Sequence, residues 1–188
     1  MSVAAVILAA GASRRLGRPK QFLQLGGETL LERALRTARE AALSPIIVVV
    51  DPDGEEAIAG SANAAIVIRN QDAAEGIASS IRCGVEQVKE MGVSGVVLMT
   101  CDQVTLTPGH LHALIDNPGH LAGSAYAGKI GIPAYFPAAS FPELLALRGD
   151  TGARELLRGA ASVTDESLTL DIDTQEDFDR ARKLLERA

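Results

Sequence analysis

The sequence predicts an α/β protein with a mostly parallel sheet and helices on both faces. Three observations predict it. Four apolar runs of four to six residues each end at a turn or a polar residue. Between them, apolar residues recur at three and four positions, the spacing of one helix face. The runs are also continuous rather than alternating, which suits strands covered on both sides. A repeat of strand, helix, strand, helix places such strands in parallel.

The elements follow in order. Residues 3–8 (VAAVIL) are the first strand. Thr29 opens a helix, with Glu32 three residues on as a capping box, and Leu30, Leu31, Ala34, Leu35, Ala38 and Ala42 form its apolar face. Pro45 closes it. Residues 46–50 (IIVVV) are a second strand stopped by Asp51-Pro52, and residues 65–68 a third. Ile77, Ile81, Val85 and Val88 mark a helix ending near Gly92, and residues 95–100 (GVVLMT) a fourth strand. Thr107-Pro108 reads as an N-cap followed by proline in the first turn of a helix reaching Ile115. The rhythm then changes. Residues 124–126 and 132–136, separated by Gly128 and Gly131, read as a hairpin or inserted edge. Residues 141–147 and 151–157 are short helices, and residues 163–172 contain a last strand. Thr174 with Asp177 caps a terminal helix packed through Phe178, Ala181 and Leu184 or Leu185.

The 188 residues match one domain, and the reading is a single domain over residues 1–188. With 47% hydrophobic and 22% charged residues the chain is globular. A net charge of −6 and 3% aromatics argue against a nucleic-acid partner. No apolar run approaches the roughly 20 residues of a membrane span. The apolar N-terminus has no basic residue before it, so it reads as a strand rather than a signal peptide, in a cytoplasmic protein. Cys83 and Cys101 read as small buried hydrophobes.

Ligands of open parallel sheets bind beyond the carboxyl ends of the strands. The loop after the first strand is Ala9-Ala10-Gly11-Ala12-Ser13-Arg14-Arg15-Leu16-Gly17-Arg18-Pro19-Lys20. Four of its last seven residues are basic in an acidic chain. Glycine lets backbone approach a ligand, and Ser13 and exposed N–H groups can donate to oxygens. This suits a polyphosphate cradle, although neither the Walker spacing nor the dinucleotide fingerprint is present. The alternative is a solvated connecting loop. Asp102 directly follows a buried strand and is a metal candidate, or else it caps the next turn. Asp173 either binds metal or caps the helix at Thr174. Asp171, two residues earlier, would face the same side on a regular strand.

The string L-A-A-G-A-S-R-R-L-G-R-P-K resembles the N-terminal signature of nucleotidyltransferases related to molybdenum-cofactor cytidylyltransferase, with Leu16 for the usual Met. The resemblance continues through Pro19-Lys20-Gln21 to Leu25-Gly26-Gly27, Asn70, Gly76 to Gly84, Cys101-Asp102-Gln103, Gly131-x-Pro133, Gly149-Asp150-x-Gly152-Ala153-Arg154 and Asp171-Ile172-Asp173-Thr174. It implies the nucleotide-diphospho-sugar-transferase fold, a three-layer Rossmann-like sheet with one antiparallel strand. It also implies transfer of a nucleotidyl group, CMP from CTP, to a phosphate of molybdopterin carrying molybdenum, with pyrophosphate released. Mg²⁺ or Mn²⁺ would assist, and a molybdoenzyme would receive the cofactor.

Carried over, Arg15, Lys20 and Asp102 are catalytic. Gly11, Ala12 and Ser13 hold the phosphates. Ala9, Ala10, Asn70, Gly76 and Ser80 recognise the base, and Asp102 and Asp173 hold the metal. Arg14 falls at a variable position. Val104, Gln71 and Ile132 depart from the family pattern, and since Gly131–Pro133 lies nearer the acceptor in the resemblance, the departures bear on which acceptor is used. Two rival readings are the methylerythritol-phosphate cytidylyltransferase family, whose D-A-A-R-P motif is absent, and a non-catalytic nucleotide-binding or molybdoenzyme-maturation factor.

Overall fold

The computed structural model describes residues 2–11, 13, 15–54, 65–116 and 119–186. The strands are β1 (Val3–Leu8), β2 (Gln24–Leu25), β3 (Glu28–Thr29), β4 (Ile46–Val50), β5 (Ile66–Arg69), β6 (Gly95–Thr100), β7 (Ala122–Tyr126), β8 (Lys129–Pro137) and β9 (Ala161–Thr164). Seven of them form one sheet in the order β5-β4-β1-β6-β8-β7-β9, while β2 and β3 make a separate antiparallel ribbon. β5, β4, β1 and β6 are mutually parallel, β8 runs against both β6 and β7, and β9 is parallel to β7.

The register places the functional edge. Leu8 pairs with Val49 on one side and Thr100 on the other, so the chains after β1, β4 and β6 leave the sheet side by side.

Helices α1 (Leu30–Glu40), α3 (Pro108–Ile115) and α5 (Gln175–Leu185) cover one face, and α2 (Ile77–Glu90) and α4 (Phe141–Ala146) the other. The strands serve both layers because successive side chains alternate. On β1, Ala5 and Ile7 join the first core, and Ala4, Val6 and Leu8 the second. Fully burying a side chain such as Ile7 contributes about 1.5–3 kcal/mol. Gly84 lets α2 lie close on the sheet, since a Cβ there would collide with Val6 and stand 3.2 Å from Val49.

Local signals read from sequence explain the helix starts. Thr29–Glu32 and Thr174–Asp177 both form reciprocal capping boxes, and the Thr107 hydroxyl accepts from His110 N. The C-terminal third differs from expectation. The last strand is β9, and residues 166–169 are a 3-10 turn. Asp171 and Asp173 therefore do not share one face of a strand; Asp171 makes only an isolated bridge to Gln103. The cause is local: Asp165 caps the turn by accepting from Ser167 N and Oγ, which ends strand geometry at Thr164. The short helix expected over residues 151–157 is present as a 3-10 helix at residues 153–157. Among the described residues, no helix is long and apolar enough to cross a membrane.

Candidate functional site

A cleft of about 850 Å³ opens at the carboxyl edge of β1, β4 and β6, within the roughly 300–1,000 Å³ usual for small-molecule sites. Of the residues proposed from sequence, Ala9, Ala10, Gly11, Ser13, Lys20, Gly76, Ser80 and Asp102 line it. Arg15 and Asp173 stand beside it, joined to it through Lys20. Ala12, like Arg14, lies outside the described residues.

The loop after β1 is organised by Ser13. Its backbone adopts the left-handed region at φ 44°, uncommon for a residue with a Cβ. In return its carbonyl accepts from Leu16 N and Gly17 N at 3.0 and 3.1 Å, and its hydroxyl accepts from Lys20 N at 3.1 Å. The loop thus curls back and presents Lys20 to the cleft. Arg18 fixes the outer side, donating to Gln175 Oε1 at 3.1 Å and lying over the Phe178 ring.

Lys20 is the centre of the charge arrangement. Its ammonium donates to Asp102 and, at 3.1 Å, to Asp173 Oδ1. Arg15 holds the other Asp173 oxygen at 2.5 Å. Burial alone would lower the Lys20 pKa, but the Asp102 carboxylate, with Asp173, outweighs it and holds the group well above the usual lysine range. Lys20 is therefore a fixed positive charge. Arg15 is 71% exposed, so its ion pair is worth at most about 1 kcal/mol.

The donor set fits a hard divalent cation. Two carboxylates from distant parts of the chain converge on one positive charge, and carboxylate oxygens are what Mg²⁺ and Mn²⁺ take. Among the described residues no group of three His, Cys, Asp or Glu gathers. Such an ion would complete its shell from phosphate oxygens and water.

Asn70 corrects the sequence reading. It is buried, and it does not line the cleft. Its Nδ2 donates to Ser79 Oγ at 2.8 Å and Ser80 Oγ at 2.9 Å, and its Oδ1 accepts from Asp72 N at 3.0 Å. Both amide hydrogens are spent, so Asn70 holds the first turn of α2 and presents Ser80 instead of meeting a base edge. Cys101 is buried beneath the cleft, and burial with the adjacent Asp102 pushes its thiol up to about 12, as befits a structural residue. Cys83 is only half-buried.

Sequence reasoning missed Asp51 and Asp150, which also line the cleft. Asp51 had a usable signal, a carboxylate at a strand end, as for Asp102. Asp150 had one too, since it lies in the Gly149-Asp150-x-Gly152-Ala153-Arg154 segment, but that segment carried no role and only the folded chain brings it to the cleft.

A parallel sheet with a cationic loop at one strand end and a carboxylate at another defines a nucleotide-handling α/β protein. The family is more specific. The family model for the MobA-like NTP transferase domain matches residues 5–166, and the chain belongs to that family as a nucleotidyltransferase. It is 35% identical to the purine catabolism protein PucB of Bacillus subtilis (strain 168), with 96% of each chain covered. It is 29% identical to nicotine blue oxidoreductase of Paenarthrobacter nicotinovorans, with 95% of each covered. The crystal structure of Rv0371c from Mycobacterium tuberculosis H37Rv superposes with a TM-score of 0.83 at 30% identity, covering 97% of this chain and 99% of that one. Rv0371c has also been solved in complex with manganese, at a TM-score of 0.80 and 27% identity, covering 97% of this chain and 99% of that one.

Proposed function

We propose that this protein transfers CMP from CTP to a phosphate of molybdopterin carrying molybdenum, releasing pyrophosphate, with Mg²⁺ or Mn²⁺ bound by Asp102 and Asp173. The observation that carries the reading is the Lys20 ammonium gripped by those two carboxylates, one just after β6 and one just before α5. An acceptor phosphate oxygen attacks the α-phosphorus, the bond from that phosphorus to the oxygen of the β-phosphate breaks, and pyrophosphate leaves. Charge then builds on the phosphoryl oxygens, and catalysis consists of positioning and positive charge.

Gly11 and Ser13 would hold the phosphates by backbone N–H and hydroxyl donors. Lys20, permanently charged and fixed by the curled loop, would neutralise charge on the phosphoryl oxygens. Arg15, exposed and on a longer reach, would close over the departing pyrophosphate. The bound cation would supply charge neutralisation between phosphates. The first loop carries Ala9-Ala10 before Gly11, the form the resemblance associates with CTP rather than GTP. The manganese complex of Rv0371c supports a divalent cation as helper.

The test is an NTP screen for pyrophosphate release, with and without molybdenum cofactor and with Mg²⁺ or Mn²⁺. Release with CTP that requires the cofactor is the expected result. Release that prefers GTP would overturn the cytidylyl assignment, and indifference to the cofactor would overturn the acceptor.

A further inference from the structure

We propose that Asp150 reads the nucleobase, accepting a hydrogen bond from the exocyclic amine of cytosine and so rejecting the oxo edge of uracil. The inference rests on the nucleotidyltransferase reading and names a specificity residue within that site.

Asp150 comes from the loop after α4, far in sequence from the first strand. That loop is pinned to the start of α2. Glu75 accepts from Gly149 N at 3.0 Å and from both Arg82 terminal nitrogens at 2.9 and 2.6 Å. Arg82 also donates to the Leu147 carbonyl at 2.7 Å, and Ala78 N donates to the Gly149 carbonyl at 3.1 Å. The Arg82 guanidinium, with the Gly149 N–H, holds the Glu75 carboxyl down at about 2, so this clasp stays ionised at working pH. Gly76 makes the approach possible. A Cβ there would fall on Asp150 Oδ1, and would stand 2.6 Å from the Gly149 carbonyl. Gly76 also sits at φ 124°, a conformation that suits glycine alone.

The Asp150 carboxylate thus lines the cleft from a braced loop, with no hydrogen-bond or ion-pair partner of its own among the described residues. A carboxylate repels phosphates, so the triphosphate belongs at Lys20 and Arg15, and the part of the nucleotide that can meet Asp150 is its base or ribose. The neighbouring wall favours the base. Ala73, Ala74 and Ile77 offer an apolar surface suited to a flat ring. Ser80 supplies the matching donor: its oxygen accepts from Asn70 Nδ2, and among the described residues no acceptor takes its proton. An ionised carboxylate only accepts. Cytosine meets this pair with its 4-amino group on Asp150 and N3 on Ser80. Uracil in the same pose turns O4, another acceptor, toward the carboxylate.

The test compares CTP, UTP and 2′-deoxy-CTP, with Mg²⁺, by calorimetric titration of the wild type, Asp150→Ala and Asp150→Asn. Leaving one such group unpaired corresponds to about a 10–100-fold preference. The wild type should prefer CTP over UTP by that ratio. Asp150→Ala should lose most of it, and Asp150→Asn, whose amide can donate to O4, should move it toward UTP. Thermal melts check that the exposed substitutions leave the fold intact. A CTP-to-UTP ratio unchanged in both variants overturns the proposal, and so does a change in Asp150→Ala confined to CTP against 2′-deoxy-CTP, which would place the carboxylate on the ribose. A wild type that binds no nucleotide overturns the nucleotidyltransferase reading itself.

Discussion

Two polar clusters in this molecule look alike on paper. At the carboxyl edge of the sheet, Lys20 joins Asp102 and Asp173. Between α3 and β7, His110 Nε2 lies 2.7 Å from Ser124 Oγ, and Asp165 stands 3.7 Å from Nδ1. The second has the residue types of a hydrolytic triad. Its hydrogen bonds rule that out. Ser124 is fully buried and gives its one proton to the Pro133 carbonyl at 2.6 Å. A carbonyl can only accept, so His110 Nε2 must be the donor and cannot take a proton from the serine. That cluster stitches α3 to β7 and β8, and its one serine proton is already committed. The Lys20 cluster faces an open cleft, and its charges can exchange partners with a ligand. Access and unspent valence, rather than residue type, separate a site from a structural network.

The largest test of that contrast is Lys20→Ala. It should lower kcat/KM for nucleotidyl transfer by ~10²-fold or more, the order of one preorganised electrostatic contact. Near-native kinetics in pyrophosphate release would reduce Lys20 to a loop residue. Asp102→Ala comes next. Its Mn²⁺ affinity, read by electron paramagnetic resonance, should fall by more than the roughly tenfold that loss of an outer partner costs. Unchanged affinity would move the metal elsewhere.

Ser124→Ala should do the opposite. It strands the Pro133 carbonyl and the His110 N–H, costing about 1–3 kcal/mol of stability, and each kcal/mol lowers Tm by roughly 2–4 °C at this size. Turnover at a permissive temperature should stay native; its collapse in a folded variant would make the second cluster a site.

The smallest effect is in pH. Burial, opposed only in part by Asp165, holds the His110 pKa below the ordinary histidine value. The unfolded chain therefore takes up a proton that the folded one resists, and this contribution to stability is lost as pH falls below about 6.5. The Tm of the wild type should drop more between pH 7 and 5.5 than that of His110→Gln. Parallel curves would remove His110 from the account.

The sequence by itself determined the parts whose cause is local. Continuous apolar runs set β1, β4 and β6 at Val3–Leu8, Ile46–Val50 and Gly95–Thr100, and the Thr–Glu and Thr–Asp caps set the starts of α1 and α5. It also put the cationic loop and Asp102 at strand ends, because a parallel sheet brings those ends together. It misplaced the last strand, where an Asp165 turn overrides an apolar pattern, and it aimed Asn70 at a base when the folded chain spends that amide on Ser79 and Ser80. Tertiary structure alone decided that Asp173, 153 residues from Lys20, shares its ammonium with Asp102, and that Asp150 lies against Gly76. Those contacts join segments with no common periodicity. Motifs along the chain mark Asp173 and Asp150 as residues of interest, but which groups they meet follows from how the whole sheet and its two helical layers pack.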